Sequence, residues 1–172
     1  MHETPEDLAA LQRLLDSSYA SAGEHLLGIH TPERRLTAVR LAEMLTGVRV
    51  LALATASAKG EPVAGPVDGL FYRGRFFFGS SPKSVRFKHI RVRPAVSAVH
   101  TVGEQLAVTV HGVAREIDVR APGNEGYLGY LRKVYPGWDS WWPASRTPPY
   151  AVIEPRSMFA FYMEQAAAPD QG

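Results

Sequence analysis

The feature that most constrains the fold is a run of strand-like segments between residues 48 and 119, joined mostly by short turns. Segments rich in β-branched and aromatic residues alternate with turn signals such as Arg73-Gly74. We predict strands over residues 48–55, 62–72, 76–80, 95–102 and 105–119, and a last pair over residues 150–154 and 158–162. Strands at such short intervals favour an antiparallel barrel over a parallel sheet with crossover helices. Gly112 is predicted to mark a bulge or a close approach of two strands.

Two amphipathic segments precede the strands. Thr4-Pro5 offers a capping hydroxyl and a proline at the first helical position, so we predict a helix from there to about Gly23. Thr31-Pro32-Glu33 repeats this signal and predicts a second helix that ends at Gly47. We therefore divide the chain into a helical segment packed on the barrel (residues 1–47), a barrel domain (48–164) and a disordered tail (165–172).

Composition excludes several classes of protein. A chain of 172 residues can bury one real core, and a formal net charge of +2 is too balanced for a protein that coats nucleic acid. The absence of cysteine excludes disulfides and thiolate catalysis, and the six histidines lack the spacing of metal ligands. The N-terminal segment carries acids and no long apolar run, so we expect a cytoplasmic protein without a secretory signal or a membrane span.

The stretch from Arg75 to Pro94 is the best candidate for a binding site. It runs from a strand through a break at Gly79 into a short basic helix that ends before Pro94. Ser80 and Ser81 stand at the break, just before the helix start. Free backbone N–H groups at a helix start, together with hydroxyl donors, form an anion site. The stretch therefore predicts a site for a phosphate group.

Two cations strengthen this prediction. Lys83 and Arg86 lie three residues apart, so on a helix they would share a face and could close on one phosphate. The alternative is that this segment is a solvated basic helix between two strands, and these residues by themselves leave that alternative open.

The segment over residues 135–143 contains all three tryptophans of the chain, Trp138, Trp141 and Trp142. Two prolines and a glycine in the same segment predict an irregular loop that follows a helical stretch over residues 124–134. Tryptophan rings need surroundings that accept both their apolar faces and their N–H groups. We favour packing at a subunit interface over direct stacking on a ligand.

Six segments, in this order along residues 36–163, carry a resemblance to a known family: Leu53-Ala54-Thr55, Pro62–Leu70, Phe77–Arg86, Arg93–Ser97, Val110–Ala114 and Pro149–Phe161. Together they resemble the flavin-binding split-barrel proteins related to pyridoxamine 5'-phosphate oxidase. The ordered set carries the resemblance, because no single motif is diagnostic. It implies a mainly β fold with flanking helices, an antiparallel split β-barrel that binds FMN.

The resemblance also implies which residues bind the cofactor phosphate. Ser80 and Ser81 would bind it through hydroxyl and backbone N–H groups, and Ser84 and Arg86 match a serine and a basic residue at the same phosphate. Arginine replaces the commoner lysine, which keeps the charge and adds bidentate reach. Val85 stands where the oxidase itself has a second basic residue, so oxidation of a vitamin phosphate is not expected.

The second strand would supply the ring site. The backbone of Val67, Asp68 and Gly69 matches the segment that faces the isoalloxazine ring in this family. The family is typically a homodimer with cofactor sites at the subunit interface, and we expect the tryptophan segment at or beside that interface.

The resemblance therefore implies a cytoplasmic FMN-binding oxidoreductase that passes a hydride between the flavin and a small organic substrate. Its partners would be that substrate and a second copy of the chain, with no nucleic acid and no membrane. Two alternatives stay open: a reductase that uses the related deazaflavin coenzyme, and a non-enzymatic carrier or sensor of flavin or haem. No catalytic residue is assigned, because the chain carries no redox-active residue pair and a cofactor would have to do the redox chemistry.

Overall fold

The computed structural model describes residues 1–164, whose strands close into one barrel. The strands are β1 (Val48–Ala56), β2 (Pro62–Tyr72), β3 (Arg75–Gly79), β4 (Ala95–Val102), β5 (Leu106–Ile117) and β6 (Tyr150–Tyr162). Their order around the barrel is β1-β2-β3-β6-β5-β4, and the paired strands are antiparallel. The predicted antiparallel barrel is therefore confirmed. The tail predicted over residues 165–172 lies outside the described residues.

Helices flank the barrel. They are α1 (Pro5–Ala20), α2 (Glu24–Ile29), α3 (Ala38–Met44), α4 (Val85–Val92), α5 (Glu125–Val134) and α6 (Trp138–Trp141), with 3₁₀ turns at Pro32–Arg34 and Ala144–Arg146. Within residues 1–164 no helix has both the length and the apolar character needed to cross a membrane.

The N-terminal helices differ from the prediction. The start signal at Thr31 opens only a 3₁₀ turn, and α3 begins after Thr37, whose Oγ1 accepts a hydrogen bond from the N–H of Arg40 at 3.3 Å. The reason is tertiary: Arg35 is extended and forms a β-bridge with Phe161 of β6, which a continuous helix would prevent. Gly23, predicted to end the first helix, instead precedes α2, a helix that the sequence did not predict.

The predicted last pair of strands is wrong, because β6 runs unbroken through Pro155. The register shifts there: His111 of β5 lies opposite Ser157, and the next residue, Gly112, lies opposite Pro155. Arg156 is thus the extra residue of a β-bulge, a place where a strand tolerates proline. The bulge predicted at Gly112 is confirmed, and a Cβ at that position would collide with the carbonyl oxygen of Glu154.

Two apolar clusters build the core. The first contains the inward-facing strand residues, among them Leu51, Val108 and Ile153, and joins them to buried leucines of α1 and α3. The second contains Leu70 and Phe77 of β2 and β3, packed with side chains of α5, α6 and β6. Because side chains alternate along a strand, this second cluster lies on the outer face of the barrel. That outer face carries the larger part of the candidate site.

Helix α1 also binds the backbone of β6 through side-chain hydroxyl groups. Ser18 Oγ accepts a hydrogen bond from the N–H of Met158 at 2.9 Å. Tyr19 Oη accepts from the N–H of Ala160 at 3.0 Å and donates to its carbonyl oxygen at 2.9 Å. Together with the N–H of Leu36, which also donates to the carbonyl oxygen of Ala160 at 3.1 Å, the two hydroxyls take the place that a neighbouring strand would occupy along this edge of β6.

Candidate functional site

The residues predicted to bind a phosphate lie between the end of β3 and the first turn of α4. Ser80 and Ser81 follow β3, Ser84 is the N-cap of α4, and Arg86 lies in its first turn. Arg86 donates from Nη1 to Ser80 Oγ at 3.3 Å and from Nη2 to the carbonyl oxygen of Pro66 at 2.9 Å. The structure therefore brings Ser80 and Arg86 into direct contact.

The position of Arg86 follows from the way β2 is paired. β2 pairs with β1 from Pro62 to Leu70, nine of its eleven residues, but with β3 only from Gly69 to Tyr72, four of the eleven. On the N-terminal side of Gly69 the edge of β2 is not paired with β3, and Arg86 reaches this edge at Pro66. A cavity of about 200 Å³ lies here, lined by Leu53, Thr55, Val63, Ala64, Gly65, Ser84, Val85 and Arg86.

The donors at this point suit a phosphate. Within residues 1–164, Ser84 makes no side-chain hydrogen bond that caps α4, although it holds the N-cap position. The first N–H groups of a helix have no partner inside the helix. A guanidinium, two serine hydroxyls and a helix start thus meet in one place, which is the donor set that binds a phosphate monoester.

Lys83 does not join Arg86 as predicted. It lies before the N-cap Ser84, so it is not on the helix and shares no helical face with Arg86. Its backbone N–H donates to Ser81 Oγ at 3.3 Å, and the residue is exposed to solvent. The prediction from the spacing of three residues is wrong because α4 begins after Lys83.

The three residues predicted to face the flavin ring differ in what they offer. Val67 is buried in the barrel core, and a Cβ on Gly69 would collide with the side chain of Leu51. Asp68 points the other way and is exposed. Of the three, Asp68 alone can present a side-chain group to a ligand, while Val67 and Gly69 can contribute only backbone atoms.

Asp68 lines a second cavity, which we call the aromatic cavity, of about 220 Å³ on the outer side of β2 and β3. It lies next to α5 and α6, and most of its lining is aromatic. The lining residues are Asp68, Leu70, Phe77, Phe78, Gly79, Ser80, Ser81, Tyr127, Leu131, Tyr135, Trp138, Trp141, Trp142, Pro148 and Tyr150.

Its walls are fixed by specific contacts. The indole N–H of Trp138 donates to Tyr150 Oη at 2.8 Å, and both residues are buried. The ring of Tyr127 stacks on Phe77 with centroids 4.2 Å apart. The guanidinium of Arg120 lies over the ring of Trp138, 4.8 Å from its centroid. The cavity is therefore already formed in the protein alone.

Two phenols in the lining keep their protons. Burial, and after it the carboxylate of Asp68, raises the pKa of Tyr135 to about 12. Tyr135 Oη lies 3.5 Å from Asp68 Oδ2. Burial also raises the pKa of Tyr127 well above its ordinary value, and the Tyr127 hydroxyl has no hydrogen-bond partner among the described residues. At neutral pH both are uncharged hydrogen-bond donors.

Sequence reasoning missed most of this cavity. The tryptophan segment was predicted to be irregular, which is wrong in part because it contains the short helix α6. Tyr127, Tyr135 and Tyr150 were not singled out as ligand-facing. One usable signal was Asp68, a carboxylate in an otherwise apolar strand on the opposite face from Val67. The placement of the tryptophans at a subunit interface stays a prediction.

No family model matches the sequence, and a comparison with curated proteins found no match. Solved structures do match. A FAD-binding protein from Mesorhizobium loti is 22% identical with a TM-score of 0.58, covering 76% of this chain and 98% of that one. An F420 reductase is 19% identical with a TM-score of 0.52, covering 67% and 93%. HutZ, the heme storage protein from Vibrio cholerae, is 14% identical with a TM-score of 0.60, covering 74% and 95%. At these identities the likeness shows the fold, so this chain has the split-barrel fold of these structures.

Proposed function

We propose that the chain is an oxidoreductase that binds a flavin-type cofactor, with FMN as the first candidate. The cofactor phosphate would lie in the phosphate cradle, by which we mean Ser80, Ser81, Ser84 and Arg86. The observation that carries the proposal is the contact of Arg86 with Ser80 and with the edge of β2.

The chemistry of the cradle supports a phosphate ligand. A guanidinium has five N–H donors, so Arg86 can keep its bond to Pro66 and still donate to a phosphate. Charge-assisted hydrogen bonds of this kind are roughly twice as strong as neutral ones. The start of α4 adds a partial positive charge at the same place. Arg86 should therefore contribute more to phosphate binding than the exposed Lys83.

A bound flavin or deazaflavin supplies hydride chemistry that the amino acids of this chain lack. The residues of the chain would position the ring and the substrate. The backbone of Val67 and Gly69 belongs to the part of β2 that is paired to β1, residues 62–70, so it offers a rigid wall. The hydroxyl of Tyr135 lies 3.5 Å from Asp68 Oδ2, so the pair can hold a proton on Tyr135 and donate it to a bound ligand.

Two of the structural neighbours support a flavin-type cofactor, namely the FAD-binding protein and the F420 reductase. The second also makes deazaflavin a candidate for this chain. The heme storage protein supports the different function of a carrier. A hydride-transferring enzyme remains our first proposal, because the cradle would bind the phosphate of FMN, whereas haem has no phosphate.

The homodimer is also a proposal, and an exposed apolar face supports it. On the outer side of β1 and β4, Val50 is 57% exposed, and Ala52 is exposed beside Val99, its partner in the sheet. Exposed apolar faces mark interaction sites, and a second copy can bury the same face on both subunits about a two-fold axis.

The absorbance spectrum of the purified protein tests the cofactor. Flavin bands, retained after gel filtration or restored by adding FMN, would support the proposal. A violet-shifted fluorescent band would indicate deazaflavin instead. A strong Soret band, or a colourless protein that binds neither FMN nor deazaflavin in a titration, would contradict it.

A further inference from the structure

The aromatic cavity adjoins the phosphate cradle and extends well beyond the residues that would bind a phosphate. Ser80 and Ser81 line both, and Asp68, which belongs to the proposed ring-facing segment, lines the cavity as well. The rest of the cavity extends away from Arg86 toward α5 and α6. It therefore offers space for a second molecule beside a cofactor.

The size and lining of the cavity limit what that molecule is. A dry apolar cavity of about 150 Å³ holds benzene. The aromatic cavity, at about 220 Å³, thus has room for one substituted ring or two fused rings. Its walls are the rings of tyrosine, phenylalanine and tryptophan, which pack well against other flat rings in offset or edge-to-face arrangements.

The charge of the lining limits it further. Asp68 is the one charged residue among those that line the cavity within residues 1–164. Two arginines near α5 and α6 are paired with a carboxylate: Arg132 lies 2.7 Å and Arg120 3.0 Å from Asp139. Arg86 contacts Ser80 at the cradle end of the cavity. With Arg86 occupied by a cofactor phosphate, an anion in the rest of the cavity would face Asp68 without a cation in the lining to offset it, while a neutral or positive group would not be repelled.

The hydrogen-bonding groups of the lining limit the ligand as well. The buried hydroxyl of Tyr127 has no partner among the described residues, and leaving such a donor unpaired is unfavourable. Asp68 and the hydroxyl of Tyr135 form a pair that can accept from and donate to a polar substituent. A ring that carries one or two small polar groups satisfies these groups better than a pure hydrocarbon.

From these observations we infer that the aromatic cavity binds the substrate, a flat aromatic compound of one or two rings that is uncharged or carries one positive charge. The cavity rejects anionic compounds of the same size. This inference rests on the proposed function, since it makes the cavity the substrate side of the cofactor site.

A matched series of probes tests the charge preference. 4-nitrobenzyl alcohol, 4-nitrobenzylamine and 4-nitrobenzoate are similar in size and differ in charge. All three tryptophans of the chain line the cavity, so the indole N–H signals in nitrogen-labelled protein report its occupancy. We expect the alcohol and the amine to shift these signals, and 4-nitrobenzoate to bind about tenfold more weakly than the alcohol. Equal affinity for the three probes, or shifts elsewhere in the protein, would overturn the inference.

Asp68→Asn assigns the preference to one residue. The asparagine keeps the shape and removes the charge, so binding of the amine should weaken and binding of 4-nitrobenzoate should strengthen. Glu104→Gln, at an exposed position outside the cavity lining, is the matched control and should change neither. An unchanged order of affinities in Asp68→Asn would contradict the role of its carboxylate.

Probe binding in the presence of FMN distinguishes a failure of this inference from a failure of the proposed function. Saturating FMN should leave the alcohol bound, since the two lie side by side. Loss of probe binding in the presence of FMN would make the cavity part of the cofactor site and overturn the inference. If FMN does not bind while the charge preference persists, the cofactor proposal fails and the assigned ligand class stands.

Discussion

Arg86 donates a hydrogen bond of 2.9 Å to the carbonyl oxygen of Pro66, which sets a cation of α4 against the edge of β2. The same guanidinium contacts Ser80 at the end of β3. The side chain of Arg86 therefore links α4, β2 and the end of β3, at the point where β2 extends past its pairing with β3. A ligand that binds Arg86 would be positioned relative to the barrel itself and not only to a loop.

The first prediction tests this cation. Arg86→Ala should weaken FMN binding by about 2 kcal/mol, roughly thirtyfold, because a charge-assisted bond to the phosphate is lost. Riboflavin, which lacks the phosphate, should bind about equally to both proteins. Titration of both ligands measures this, with Lys83→Ala as the control that should lose less. Equal losses for FMN and riboflavin would mean that Arg86 supports the fold instead.

The second prediction concerns the exposed face of β1 and β4. Ala52→Arg places a charge in the centre of this face, opposite Val99, and should convert a dimer to a monomer in light scattering. Val39→Arg introduces the same charge at an apolar residue of α3 that is 45% exposed, and should leave the mass unchanged. A dimer that survives Ala52→Arg would place the interface elsewhere, and a monomeric wild type would remove it.

The third prediction follows from the pKa of Tyr135, which burial and Asp68 raise from 10.0 to about 12. The folded protein keeps this proton where the unfolded chain loses it. The free energy of unfolding should therefore fall as the pH rises from about 10 to about 12. The ultraviolet titration of wild type minus Tyr135→Phe isolates this phenol.

Asp68→Asn should lower the pKa of Tyr135, since it removes the nearby negative charge, while burial keeps part of the shift. Glu104→Gln is again the control. If Tyr135→Phe loses as much stability in this pH range as the wild type, other groups cause the loss.

The fourth prediction compares two neighbouring serines of α1. Ser18→Ala leaves the N–H of Met158 without its partner inside the protein, and should cost about 1–3 kcal/mol of stability. The hydroxyl of Ser17 donates to the carbonyl oxygen of Leu14 in the same helix, and the residue is exposed, so Ser17→Ala should change stability by less than about 0.5 kcal/mol. Denaturant unfolding of the two variants measures the difference. Similar losses would show that the hydroxyl of Ser18 does not stabilise β6.

The parts of the fold that depend on local sequence were predictable. The hairpin between β2 and β3 has positive φ at both Arg73 and Gly74, as a tight two-residue turn requires. The bulge at Gly112 was also predicted from a glycine inside a strand. The start of α3 was not, because Thr31 and Thr37 both carry capping hydroxyls and the choice depends on the contact of Arg35 with β6.

The candidate site divides in the same way. The phosphate cradle is nearly continuous in sequence, so its residues could be predicted together, and only the start of α4 decided that Lys83 stands apart. The aromatic cavity draws its lining from β2, β3, α5, α6 and β6. No short pattern joins such distant segments, and the order in which strands surround the barrel was needed to bring Asp68 next to Tyr135.

Through the hydroxyls of Ser18 and Tyr19, α1 covers part of the edge of β6 in addition to packing on the barrel. An uncovered strand edge is a template on which other chains assemble, and β6 is the longest strand of this barrel. Since α1 satisfies Met158 and Ala160 with side chains, the edge offers these groups to no foreign strand. Loss of the first twenty residues would therefore leave the N–H groups of Met158 and Ala160 free to pair with a strand of another chain, and only the contacts of Arg35 and Leu36 would still cover the described part of this edge.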